Sequence, residues 1–435
     1  MCTPDTTLYP ILVSLLTVVL GPLHLATLKS VSALLWALLL CQSLHVSDLS
    51  RALPDLTALG ARQAMRRVRR RLQSPTLMSQ SLTPSLVRMA WRLLGAQPAT
   101  LVLDSTRCLH WEIFTLGVVF HGRVLPISWA ILPYPWPKGK FTPTVLELLE
   151  RTFTCWPVAW PLHLVADRGF PSLKLFRCLH KWAQSLPLDY TIRLRAGDWV
   201  RLADGPSLKI ATLLAGCQPN SWSSCSASYV QRKQDGPWSL LVIGHRQPQY
   251  PPHQRGPAEQ ARRQARQARR RAHLLSKGQA KAPDTDGFWV LLSSVATMQE
   301  ARRAYELRFH TEGMYRDLKS WDLEAVVAHQ KEPSHLQGLV GLAVLGYYVQ
   351  VAIGGAVAGC TDWESVQARQ RQWCTTDRLS VFWRGRQVLH DRAYDWCAWL
   401  RYTLTELTHQ LAPATSHRNQ RVYQSPLLKR NQEAA

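Results

Sequence analysis

The chain has 435 residues, enough for two or three domains with a real core, and at 46% hydrophobic it is not a disordered chain. Lys+Arg number 52 against 29 Asp+Glu, and this net charge of +23, with its arginines clustered, favours a polyanionic partner: DNA, RNA or an anionic membrane. The ten cysteines include no CxxC pair, which argues against a thiolate zinc site and reads as reduced cytosolic thiols.

"MCTPDTTLYP" carries Asp5 and no basic residue before the first apolar run, so it makes a poor signal peptide. That run, "ILVSLLTVVL", stops at Gly21-Pro22, too short to cross a bilayer. The first 95 or so residues read as helical. "VSALLWALLLCQ" is one helix, "VSDLSRAL" a second ended by Pro54, and "ARQAMRRVRRRLQ" a third. In the third, Ala61, Ala64, Met65, Val68 and Leu72 share an apolar face, while Arg62, Arg66, Arg67, Arg69, Arg70 and Arg71 cover the rest. A short helix, a turn and a basic amphipathic helix resemble a helix-turn-helix DNA reader. The alternative is a packing helix with a solvated arginine face. DNA contact is favoured because arginines without acidic partners repel one another unless phosphates neutralise them.

From Pro98 the pattern changes to strands: "ATLVLDST", "IFTLGVVFHG" and "RVLPISWAIL", with a turn at His121-Gly122. The helix "TVLELLERTF", strand "PLHLVADRGF", helix "PSLKLFRCLHKWA" and strand "YTIRLRA" follow, the order of a mixed α/β layer fold. Residues 198–285 interrupt it with short strands at "WVRLADG", "ASYVQRK" and "WSLLVIGHR" and then an arginine-dense arm containing Arg262, Arg263, Arg266 and Arg270. The arm is a helix, a segment that orders on a phosphate backbone, or a solvated linker. "GFWVLLSSV" returns to a strand and is followed by the helix "AYELRFHTEGMYRDLKS". "GLVGLAVLGYYVQVAIGGAVAG" (338–359) is about long enough to span a bilayer, but Gln350 and the glycine pair favour a helix buried on all sides, with no membrane contact.

Three carboxylates stand out. Asp104 ends the strand "ATLVLD", Asp167 ends "PLHLVAD", and Glu312 lies on the helix after "GFWVLLSS". Neighbouring strand ends of an α/β sheet converge, and ligands bind at that edge. Three hard oxygen ligands there suit Mg²⁺ or Mn²⁺, and two such ions can activate a hydroxyl and stabilise the leaving oxygen of a phosphodiester. On the last helix Tyr305, Arg308, Glu312 and Lys319 stand at i, i+3, i+7 and i+14, within roughly 60° of one another on an ideal helix.

These four residues fit Y-x2-R-x3-E-x6-K at every spacing, the signature of the DDE transposases of the insertion-sequence-four family, bacterial cut-and-paste enzymes. "LDST" around Asp104 and "ADRGF" around Asp167 resemble the family's two aspartate motifs. The resemblance covers about residues 30–350. It implies an RNase H-like mixed-sheet catalytic core in two parts (96–197 and 286–330) interrupted by a β-rich insertion with its basic arm (198–285). A helical N-terminal DNA-binding domain (1–95) and a helical C-terminal region (331–435) flank it. It further implies double-stranded DNA as partner (terminal inverted repeats and target), a homodimer in the DNA complex, and a cytoplasmic, nucleoid-associated enzyme. Asp104, Asp167 and Glu312 are implied to hold two Mg²⁺ ions, replaceable by Mn²⁺, and Tyr305, Arg308 and Lys319 to contact phosphates beside the scissile bond. Family members stack a flipped base on an aromatic; Trp199, Trp222 and Trp238 are candidates, with no choice among them. Arg168 contacts phosphate or stabilises its own turn. Gly313 costs its helix about 1 kcal/mol relative to Ala, and two readings stand for it: room for DNA, or drift in a decayed copy.

Overall fold

A computed structural model describes residues 8–21, 24–53, 56, 58–94, 97–203, 205–215, 217, 221–245, 288–330, 332–358 and 380–390. Five helices come first: α1 (Leu8–Leu20), α2 (Leu25–Cys41), α3 (Val46–Ala52), α4 (Ala61–Leu72) and α5 (Ser79–Leu94). In α4 most of the pattern holds: Ala64, Val68 and Leu72 are buried, Met65 is half-buried, and Arg62, Arg66, Arg67, Arg69 and Arg70 are exposed, whereas Ala61, expected on the apolar face, is exposed in the first turn and Arg71 is half-buried.

Ten strands then form one open mixed sheet. They are β1 (Ala99–Cys108), β2 (Trp111–Phe120), β3 (Arg123–Pro133), β4 (Leu162–Ala166), β5 (Leu188–Arg193), β6 (Trp199–Leu202), β7 (Ser207–Lys209), β8 (Trp222–Gln231), β9 (Gln234–His245) and β10 (Phe288–Ser293). The first three make an antiparallel meander, turning between β2 and β3 at His121 (φ 43°) and Gly122 (φ 73°), the left-handed pair that suits the twist of a two-residue hairpin loop. β4 joins β1 in parallel and β5 joins β4 in parallel, each reached through a helix, α6 (Phe141–Thr154) and α7 (Leu173–Trp182). The sheet order is β3-β2-β1-β4-β5-β10-β9-β8-β6-β7, so the strands of the 198–245 segment extend the same sheet through β10, which is antiparallel to both its neighbours. A short helix, α8 (Ile210–Ala215), follows β7.

After β10 the chain forms α9 (Met298–Glu306), a 3-10 turn (Leu307–Phe309) and α10 (His310–Lys319). The single helix expected over 304–320 is therefore broken at its centre, where Phe309 stacks on Trp289 of β10 with the ring centroids 5.8 Å apart. α9 opens with a reciprocal cap between Thr297 and Glu300 and lies over β4 and β5, while α10 lies over β1 and β3. α11 (Leu323–Ala328), α12 (Pro333–Ala358) and α13 (Val381–His390) complete the described chain.

α12 is long and apolar enough to cross a membrane, but 89% of its most apolar window is buried inside the protein. It packs against α2, α4, β3 and α13. The Gln350 amide donates to Gln42 Oε1 at 2.8 Å, and that oxygen also accepts from Trp321 Nε1. Glycines let α12 approach its neighbours: a methyl on Gly338 would stand 1.7 Å from the Leu72 carbonyl oxygen at the end of the arginine helix. Gly338→Ala should therefore cost about 1–2 kcal/mol in urea unfolding, its overpacking penalty exceeding the gain in helix propensity. Gly355→Ala, with nothing within 4 Å, should be neutral or stabilising.

Candidate functional site

β1 and β4 run in parallel with Leu103 opposite Ala166, so the next residue on each, Asp104 and Asp167, falls side by side on one face of the sheet. Contrary to the sequence expectation, Asp104 does not end its strand. β1 continues to Cys108 against β2, and only its pairing with β4 stops at Leu103. The strands thus part at the two carboxylates.

The chain after β10 closes over this gap. Tyr305, fully buried, donates its hydroxyl to Asp167 Oδ1 at 2.9 Å. Arg308 Nη1 donates to Asp104 Oδ2 at 2.9 Å, while Nη2 lies 3.8 Å from Glu312 Oε1. The Arg308 side chain is 9% exposed and that of Glu312 61%, so the glutamate opens to solvent while the guanidinium sits among the acids. Arg308 Nε is buried without a hydrogen-bond partner among the described residues. Its guanidinium also stands 4.7 Å from the Phe309 ring centroid, and Trp289 meets Tyr305 edge-on. From the end of the neighbouring β5, Arg193 Nη1 approaches Asp167 Oδ1 to 3.9 Å.

The two aspartates titrate in opposite directions. Burial pushes Asp104 up to about 6 against the pull of Arg308 and the Ser105 N–H, with Asp167 and Glu312 adding to the rise. Burial also raises Asp167, but Arg308, the Arg168 N–H, Tyr305 and Arg193 outweigh it and leave this carboxyl below its ordinary value. The tyrosine hydroxyl is pushed up, by burial first and by the Asp167 charge second. Among the described residues no group of three or more His, Cys, Asp or Glu is set to hold a metal ion. Three carboxylates feel one another here, and the positive charge they require is supplied by Arg308.

The other residues singled out by sequence fall into three groups. Lys319 Nζ pairs with Glu324 Oε2 at 3.1 Å, and Arg168 is exposed on the turn after β4. Trp199 and Trp238 are exposed, and Trp222 packs edge-on to Trp289 beneath the Arg302 guanidinium. None of these three tryptophans lines the cavity of about 540 Å³ that opens beside Asp167. Arg262, Arg263, Arg266 and Arg270 lie outside the described residues.

Sequence reasoning passed over Arg193 and Arg195, which line that cavity with Arg168. Arg195 donates to the backbone carbonyls of Arg168 and Gly169 and so braces the turn that carries Asp167. The signal was present in "IRLRA", where two arginines two residues apart at a strand end point to one face. Gly313 also acquires a reason. A Cβ there would come within 2.8 Å of Arg123 Nη1, and Arg123 Nε donates at 2.7 Å to Asp317, a fully buried carboxylate. The glycine makes room for that ion pair.

No protein-family model matches the chain, and no curated protein is similar to it.

The raised Asp104 carboxyl fixes the sign of a pH dependence. Its folded value lies above the unfolded 3.8, so its contribution to stability is present below about pH 4 and is lost as the pH rises through about 6. In metal-free buffer, the unfolding free energy of the wild type relative to Asp104→Asn should fall between about pH 4 and pH 7, by at most about 3 kcal/mol.

Proposed function

We propose that the chain is a DNA transposase of the DDE type, which binds the inverted repeats at the ends of its element, cuts it out and joins it to target DNA. One observation carries the reading. Tyr305 and Arg308 of the Y-x2-R-x3-E-x6-K helix reach back 138 and 204 residues to grip Asp167 and Asp104, and Arg308 reaches Glu312 as well. Core packing by itself gives no reason for an aromatic hydroxyl, a guanidinium and three carboxylates to share one opening at a sheet edge. The strand order β3-β2-β1-β4-β5, with the aspartates where β1 and β4 part, supports an RNase H-like core, extended by the strands inserted between β5 and β10.

On this reading Asp104, Asp167 and Glu312 would hold Mg²⁺, with Mn²⁺ as a substitute and two ions per site, supplying Lewis acidity at the phosphodiester and at the attacking hydroxyl. The chain's own groups do the rest. Tyr305 and Arg193 orient Asp167, and Arg308 neutralises Asp104. Arg308 has five N–H donors in a planar fork, the geometry that suits carboxylate and phosphate oxygens. The arginines of α4, exposed on a helix whose other face is buried, suit a DNA backbone, and the net charge of +23 concentrates DNA near acids that would otherwise repel it. Two chains would pair with two element ends, in the cytoplasm at the nucleoid.

The test is cleavage of a duplex carrying the DNA that flanks the gene, with Mg²⁺. Wild type should cut at the element end. Asp104→Asn, Asp167→Asn and Glu312→Gln should each lose more than about a hundredfold in rate while still binding DNA. Replacing Arg66 and Arg70 by Ala should weaken binding and make the logarithmic salt slope shallower by about 0.9 for each phosphate no longer neutralised. Undiminished cutting by Glu312→Gln would remove the glutamate from the machinery.

A further inference from the structure

A second exposed feature stands on the opposite face of the sheet. Past Asp104, β1 carries Ser105, whose hydroxyl donates to Glu112 Oε1 at 2.6 Å. Glu112 is buried, and its other oxygen accepts from Trp136 Nε1 at 3.2 Å. The indole is 41% exposed although one edge is fixed by this bond and its ring rests 4.7 Å from Phe141. Beside it Tyr134 meets Trp136 edge-on, and the Arg107 guanidinium stacks 3.4 Å from the Tyr134 ring centroid. Phe141 continues to Phe170, three residues after Asp167, so the aromatic group is built on the residues that follow both aspartates. Lys138 and Lys140 are exposed in the same loop, and Glu112, the one acid among residues 105–112 and 131–141, is turned inward.

We infer that this tip, formed by the β1–β2 turn and the loop after β3, is a stacking platform for unpaired DNA. The inference rests on the DNA-handling function proposed above. An exposed indole fixed by a buried carboxylate, with an arginine plane on the neighbouring Tyr134 ring and two exposed lysines in the same loop, has the two components that hold single strands: a π-face for a base and cations for the backbone. Duplex DNA offers its bases only at the groove edges, so the exposed indole selects a strand already released from pairing.

The experiment is fluorescence-anisotropy titration of a labelled oligothymidylate and of a labelled duplex of equal length, using the full chain at fixed salt. Wild type should bind both. Trp136→Ala and Arg107→Ala should weaken binding of the single strand by roughly 5- to 100-fold and leave duplex binding unchanged. Trp136→Phe, which keeps a π-face, should retain most of the affinity, and Lys138→Glu, a change at an exposed side chain, should weaken single-strand binding without disturbing the fold. Single-strand binding equal to wild type in Trp136→Ala, Arg107→Ala and Lys138→Glu would overturn the platform while leaving duplex binding and cleavage standing. Failure of the wild type to bind the duplex would instead remove the DNA function on which it rests.

Discussion

The buried guanidinium of Arg308 is the group on which the site depends. Two aspartates side by side at parting strands repel each other, and burial adds a desolvation penalty for each charge. Arg308, 2.9 Å from Asp104 and 3.8 Å from Glu312, offsets only part of this for Asp104, where burial still prevails. For Asp167, Tyr305 and Arg193 both reach Oδ1, at 2.9 and 3.9 Å, and with Arg308 they outweigh burial. The result is asymmetric: one carboxyl is held below its ordinary range and its neighbour is raised to about 6. Neighbouring acids pushed apart in this way are a common mark of functional sites, although structural ion-pair networks do the same.

This arrangement is possible because the layers around it leave little freedom. α9 is pinned over β4 and β5 by its N-terminal cap and by the Trp289–Tyr305–Phe309 ring cluster. A 3-10 turn, Leu307–Phe309, lies between Tyr305 and Glu312. α10 is then tied to β3 by the Arg123–Asp317 pair that Gly313 accommodates, and to β2 by the 2.6 Å bond between Tyr315 and Thr115, the residue paired with Asp104 across the strands. Beyond these, α12 runs through the interior, its glycines admitting the backbone at the end of the arginine helix. A core helix thus joins the basic surface of α4 to the sheet that carries the carboxylates.

Much of this was legible in the sequence, and the reasons are local. The run from β1 to β5 showed itself through β-branched and aromatic strands, one left-handed turn and two amphipathic helices, all patterns contained within a dozen residues. Non-local pairing was not legible. Nothing in "ASYVQRK" or "WSLLVIGHR" says that those strands extend the main sheet, because the link is made by β9 alone, through β10, which lies beyond a long intervening segment. Arg308 shows the same limit. The i+4 pairing with Glu312 is visible in sequence, yet it is the longer of the two ion pairs, and the shorter one goes to a residue 204 positions away. The wheel that aligned Tyr305, Arg308, Glu312 and Lys319 assumed an unbroken helix. With the turn at 307–309 the first three gather at the carboxylates, while Lys319 pairs with Glu324. Gly313 looked like a defect because its reason, Arg123, comes from another strand.

A double-mutant cycle in unfolding free energy between Arg308→Met and Asp104→Asn, run at pH 7 without divalent metal, isolates the pairing at the centre of the site. If Arg308 is the cation that stabilises the ionised Asp104, Arg308→Met costs several kcal/mol in the wild type and much less in the Asp104→Asn background, and the coupling is about 2–3 kcal/mol. Additivity within about 0.5 kcal/mol would mean that the two charges do not depend on each other, and that the carboxylates are held together by something else.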